Sequence, residues 1–276
     1  MSMLSTPMVS MPAQPAQPAP SAVTTDPRLA EIEFLASLDK ERPVSLIATD
    51  WARRLGVSEA YFGAMVRHLI IEGCLDGPLV NHAGRLRLWR LRDEILRARL
   101  RDSFELLWDR RHFAADVTVR LAMSPPGASS AILFLDVDDF KAVNERISYR
   151  VGDEVLRLVF ACVRDGVSGA GEAYRWGGDE VTAFLPGATL EAAERVAESI
   201  RATVERKCGL HARLQEAGLR TTVSVGVGAF REGPSGDMVA LAVAELMKRV
   251  KASGKNGVVA RSIDFVPSAM AENAVG

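Results

Sequence analysis

Two stretches decide the fold: AILFLDVDDFKAVN at residues 131–144 and YRWGGDEVTAFL at residues 174–185. The apolar run from Ala131 to Leu135 reads as a buried strand that delivers Asp136 at its C-terminal end, beside Asp138 and Asp139, where a helix begins. YRW, GGDE and VTAFL read as strand, tight turn, strand. Gly177 and Gly178 permit the turn and leave room beside it, and Asp179 and Glu180 project from its tip. Two carboxylate clusters thus stand at strand ends, which in a compact sheet can be neighbours. Acids from separate strands held together favour a site for Mg2+, an oxygen-seeking ion that commonly bridges phosphates. The plainer reading is that these acids cap a helix and shape a hairpin, as Asp at a helix start and GGD in a turn ordinarily do.

Toward the C-terminus, Leu190 to Val204 has the pattern of an amphipathic helix with Glu191, Glu194 and Glu198 outward. TTVSVGVGAF from Thr221 reads as a near-continuous apolar strand, Asp237 to Ala252 as a helix and GVVARSI as a terminal strand, after which residues 266–276 fray. Strands and helices of this kind define an α/β domain over residues 124–265.

Toward the N-terminus, residues 1–27 are rich in Pro, Ala, Gln, Ser and Met and read as a disordered tail without the basic start or apolar stretch of a secretory signal. Helices are expected at about 29–38, 46–55 and 58–73, the last capped by Ser58 and stopped by Gly73. CLDGPLV and RLRLWRL, joined by NHAG, read as a hairpin. That order is the order of a winged helix-turn-helix, assigned to residues 28–91. Arg53, Arg54 and Arg67 near the expected recognition helix, with Arg85 and Arg87 on the wing, are candidates for contact with DNA phosphates or a protein partner. A DNA role and a role in dimerisation or partner binding stay open, because Ser58, Glu59, Tyr61 and Gly63 are poor base readers. Residues 92–123 read as one linking helix, closed by SPPGASS.

The chain has 276 residues, long enough for one large domain or two smaller ones, and its formal net charge of -1 creates no global pull toward nucleic acid or anionic lipid. No apolar run approaches the roughly 18 residues of a membrane span. Cys74, Cys162 and Cys208 fit neither a disulfide framework nor a zinc ribbon, which points to a reducing cytoplasm. His68, His82, His112 and His211 lack metal-ligand spacing.

Taken together, LDVDDFKAVN, VGDEVL and YRWGGDEV resemble the GGDEF family of diguanylate cyclases. The resemblance runs from DSFELLWDRRHF at Asp102, similar to the family's DxLTxLxNRRxF, to VKASGKNG at Val250, similar to its AKxxGRN. It implies a palm-like α+β nucleotidyl cyclase domain that joins two GTP into cyclic di-GMP as a homodimer, with Mg2+ or Mn2+. Residue by residue, it implies that Asp136, the Val137 carbonyl and Asp179 face metal, and that Glu180 is the essential second acid near the ribose 3'-hydroxyl. It further implies that Asn144 and Asp153 hold the guanine edge, that Lys141, Lys251 and Lys255 meet phosphates, and that Gly177 and Gly178 let the backbone approach the nucleotide.

The sequence departs from the family pattern at Glu145, Ser148 and Tyr149, at Ala244 and Lys248, and at Val181, which stands for the signature's last Phe. Lys255 stands where Arg is usual, keeping the charge and losing a bidentate fork. SGAG at Ser168 to Gly171 replaces the product-inhibition motif RxxD, so feedback through that site is not expected. The expectation is a cytoplasmic cyclase regulated by its N-terminal domain. The rival is a catalytically weak or inactive regulator whose winged helix binds DNA or a protein partner.

Overall fold

The computed structural model describes residues 26–39, 48–76, 79–125, 127–231 and 236–263. The expected tails, residues 1–27 and 266–276, lie outside the described residues except for Asp26 and Pro27, the latter opening the first helix, and so does the start of the second helix. The N-terminal unit comprises α1 (Pro27–Asp39), α2 (Ala48–Leu55), α3 (Glu59–Ile71), the two-residue strands β1 (Leu75–Asp76) and β2 (Leu79–Val80), and α4 (His82–Arg97). There follow β3 (Trp108–Asp109), α5 (Phe113–Met123), β4 (Ser130–Val137), α6 (Phe140–Arg146), α7 (Tyr149–Val167), β5 (Glu172–Gly177) and β6 (Glu180–Pro186). The chain continues through α8 (Leu190–Gly209), α9 (Ala212–Glu216), β7 (Val223–Phe230), α10 (Gly236–Ala252) and β8 (Val258–Ser262).

A six-stranded sheet of order β3-β5-β6-β4-β7-β8 carries the second part of the chain. β4 lies between antiparallel β6 and β7, while β3 and β8 are parallel to their neighbours β5 and β7. Every residue of β4 is buried, which is why its sequence is apolar without alternation. Leu133 and Leu135 face a core made with Val155, Val159 and Phe160 of α7 and Ala197 and Ile200 of α8. Ile132 and Phe134 face the opposite core, made with Val239, Val243 and Met247 of α10 and Phe113 and Val117 of α5. α10 lies directly on β7 because Gly226 has no side chain: a Cβ there would sit 2.5 Å from the Val243 carbonyl oxygen.

The N-terminal unit has its own core. Phe34, Trp51 and Phe62 pack ring against ring, Phe34 at 5.1 and 5.2 Å from the other two, among Ile32, Leu35, Leu69, Leu88 and Ile95. α3 starts as expected, with the Ser58 hydroxyl accepting the Tyr61 amide at 3.2 Å. The expected wing is overturned, however: the hairpin is β1 with β2, and RLRLWRL is helical. Asn81 caps α4, its side chain accepting the Gly84 amide at 3.1 Å and donating to the Gly73 carbonyl at 2.7 Å. Leu88 and Ile95 then fall on one buried helical face, which the alternation of Arg and Leu had disguised as a strand.

The single linking helix expected over residues 92–123 is overturned as well. α4 stops at Arg97, and Asp102 folds the next turn by accepting the amides of Phe104, Leu106 and Leu107 at 3.0–3.2 Å. α5 is therefore a separate helix. Its Val119 belongs to the N-terminal core and its Phe113 and Val117 to the sheet core, so one element is shared by both.

Candidate functional site

The register of β4 and β6 places Asp136 directly opposite Glu180, and the register of β4 and β7 places it opposite Ser224 on the other side. Directly opposed residues in an antiparallel pair share a face, so two carboxylates point the same way at the end of the sheet. Asp179 adds a third from the turn before β6, where Gly178 adopts a left-handed φ of 51°. One ammonium answers them: Lys251 at the end of α10 lies 2.5 Å from Asp136 Oδ1. Burial, with the nearby Asp179 and Glu180 reinforcing it and Lys251 opposing it, pushes the Asp136 carboxyl up to about 6.

Like charges held opposite each other destabilise a sheet, so the cluster calls for a cation. Among the described residues no group of three or more His, Cys, Asp or Glu side chains forms a metal cage. That donor set fits a hard divalent cation of the kind that keeps its water and is bound through one or two carboxylates plus substrate phosphates.

The next acids along the chain divide the work differently. Asp138 is buried and accepts from Thr222 Oγ1 at 2.6 Å, Ser224 Oγ at 2.7 Å and the Asn256 amide at 3.0 Å. It is a clamp between the end of β4, the start of β7 and the loop before β8. Asp139, left-handed at φ 57°, meets the Lys255 ammonium at 2.6 Å. Lys255 and Asn256 are left-handed too, at φ 65° and 45°, and Asn256 is gripped by Arg201 at 2.8 Å and Glu205 at 3.0 Å. The contact with Asp139 holds the Lys255 ammonium above its usual range.

The remaining expected residues lie as follows. Gly177 and Gly178 are exposed, with open space where a side chain would stand. Val137 ends β4. Asn144 on α6 packs against Gly152 of α7, where any side chain would collide with its Oδ1, and Asp153 follows on the exposed side. Lys141 is exposed and pairs with Glu145 at 3.4 Å along its own helix. Arg53 pairs with Asp50 at 3.5 Å and Arg67 is exposed, while the side chain of Arg54 lies outside the described residues. Arg85 and Arg87 stand on α4, not on a wing. Arg85 donates to the Val80 carbonyl at 3.2 Å, and Arg87 is clamped by the Glu31 carboxylate.

Sequence reasoning missed Arg175. It donates to the Gly178 carbonyl at 2.9 and 3.1 Å and to Ser103 Oγ at 2.8 Å, and lies 3.5 Å from the Asp102 carboxylate. This one guanidinium ties the acidic turn to the Asp102 loop. Its place two residues before the glycine pair was the available signal.

Residues 100–257 match the family model described as diguanylate cyclase, GGDEF domain. Diguanylate cyclase VdcA of Vibrio cholerae is 29% identical over 185 residues, which are 64% of this chain and 52% of that protein. Response regulator PleD of Caulobacter vibrioides is 32% identical over 254 residues, 88% of this chain and 53% of that protein. The chain thus spans about half the length of these curated relatives. Among solved structures, the GGDEF domain of DgcB from Caulobacter crescentus in complex with c-di-GMP is similar, with a TM-score of 0.53 at 25% identity. That match covers 57% of this chain and 90% of the other.

Proposed function

The chain belongs to the GGDEF-domain family, and on that premise we propose that it is a diguanylate cyclase regulated by its N-terminal unit. Two GTP molecules are joined when the 3'-hydroxyl of each attacks the α-phosphorus of the other. Two phosphodiester bonds form, two pyrophosphates leave, and each hydroxyl gives up its proton. Asp136, the Val137 carbonyl and Asp179 would hold Mg2+ or Mn2+. Such an ion, when bound, supplies neutralising charge at the triphosphate.

The chain's own residues do the rest. Glu180, on the face it shares with Asp136, stands by the ribose 3'-hydroxyl. Lys251 and Lys255, with Lys141, meet the phosphates. Asn144 and Asp153 pair with the guanine edge, and a base that left them unpaired would be rejected. The open space at Gly177 and Gly178 admits the nucleotide to the backbone. Because one chain carries one such set, two copies must face each other as a homodimer.

The observation that carries this reading is the opposition of Asp136 and Glu180 under Lys251. Two of the departures from the family pattern have places of their own in the fold: Ala244 packs in the sheet core, and Lys248 pairs with Glu245 at 2.6 Å on the solvent side. With Arg87 consumed by Glu31 and no wing strand at residues 85–91, the N-terminal unit is read as a regulatory body rather than a DNA reader. A cytoplasmic setting agrees with three free, buried cysteines, and among the described residues no helix is long and apolar enough to cross a membrane.

The test is product identification by mass spectrometry after incubating the full chain with GTP and Mg2+. Cyclic di-GMP from the wild type and none from Asp179→Ala is the expected result. Absence of dinucleotide from the wild type, or equal product from the variant, removes the proposal.

A further inference from the structure

Between the N-terminal unit and the sheet lies a buried polar cluster that the reaction does not use. The Asp116 carboxylate on α5, wholly buried, accepts from Tyr174 Oη on β5 at 2.7 Å and from Arg99 at 3.0 Å. Both bonds fall on one oxygen, and Asp116 Oδ1 has no hydrogen-bond partner among the described residues. Arg99 also donates to the Leu96 carbonyl in the last turn of α4 at 3.0 Å and lies over the Trp108 ring at 3.9 Å. Glu172, at the start of β5, accepts from Trp108 Nε1 at 2.6 Å and Arg120 at 2.8 Å.

A half-satisfied carboxylate at full burial is costly, and apolar side chains of similar volume would fill the space more stably. Its position shows what it holds. Alternation along β5 sends Tyr174 to the face of α5 and Arg175 to the other, where Arg175 grips the Gly178 carbonyl. The strand that ends in the acidic turn is therefore fixed on one face by Asp116 and on the other by Asp102.

We propose that Asp116 is a positioning residue for the reaction, fixing the Gly177–Gly178 turn through Tyr174 and tying it to the N-terminal unit through Arg99. This rests on Asp136, Asp179 and Glu180 being the working acids.

Tyr174→Phe in the full chain tests it, since Phe keeps the ring and removes one hydroxyl. The expected result is a fall in kcat of about tenfold, the weight of one hydrogen bond to a charged group, with KM for GTP within about twofold of the wild type. Amide hydrogen exchange at residues 177–180 should quicken while residues 132–134 of β4 keep wild-type protection. Asp116→Asn should move kcat and exchange in the same direction. A lower melting temperature with kcat and turn exchange unchanged would mark a merely structural role and overturn the proposal. Should the wild type make no product, the assigned activity fails, and exchange at the turn still decides whether Tyr174 and Asp116 position it.

Discussion

Asp136 and Glu180 face each other across β4 and β6, two carboxylates in register at the end of the sheet with Lys251 against the first. Apart from Ser130 at its start, the rest of β4 is a buried apolar strand, so the fold gives up stability at this one rung.

Burial pushes the Asp136 carboxyl up to about 6 in the folded chain, above the ordinary aspartate value of about 3.9. Between about pH 4 and pH 6 the folded chain therefore keeps a proton that the unfolded chain has released, and stability without metal falls as pH rises through that window. At pH 7 the full penalty is present. Asp136→Asn should stabilise the metal-free protein there by on the order of 1–2 kcal/mol and flatten the dependence between pH 4 and 6. Urea unfolding in EDTA at pH 4 and pH 7 reads both, and a variant less stable than wild type at pH 7 would contradict the argument.

Asp138, two residues on, should behave in the opposite way. Its three donors come from β7, the segment before it and the loop before β8, so Asp138→Ala leaves two hydroxyls and an amide without their acceptor. A loss of roughly 3 kcal/mol in denaturant unfolding is expected at neutral pH. Stability equal to wild type would show that water replaces the carboxylate.

These neighbouring acids mark how far the sequence could be read. The apolar run before Asp136 and the glycine pair before Asp179 made the strand, the turn and the convergence of acids legible, because both signals are local. The clamp role of Asp138 was not legible: Thr222 and Ser224 are more than eighty residues away, and only the sheet register brings them together. In the N-terminal unit, the alternation of Arg and Leu over residues 85–91 suggested a strand. The Asn81 cap and the packing of Gly84 on the Cys74 carbonyl decide for a helix, and the second of these is tertiary. The break after Arg97 depends on Asp102 collecting the amides of Phe104, Leu106 and Leu107, a local signal hidden within a helix-forming composition.

Arg87 should prove a stability residue. Its guanidinium answers the nearly buried Glu31 carboxylate across α1 and α4, and its Nη2 lies 3.3 Å from His68 Nε2. Arg87→Ala strands that carboxylate and should cost about 2 kcal/mol in thermal or urea unfolding. The double change Glu31→Leu with Arg87→Leu, which removes both charges together, should cost less. A single variant as stable as wild type would release Arg87 for a surface role.

Lys255 separates binding from folding. Its ion pair with Asp139 is on the surface, so losing it should leave the melting temperature nearly unchanged. Lys255→Asn is the suitable variant, because Asn tolerates the left-handed φ of 65° at this position. If Lys255 meets the triphosphate in both the ground state and the transition state, KM for GTP should rise about tenfold with kcat largely preserved, as loss of uniform binding requires. Lys255→Arg should retain wild-type KM or lower it, since the guanidinium can take two phosphate oxygens at once. Steady-state kinetics at two salt concentrations check this, the difference from wild type narrowing as salt screens the lysine. A KM unchanged in Lys255→Asn, or a rise that salt does not narrow, would take Lys255 out of the phosphate site and leave it as the partner of Asp139.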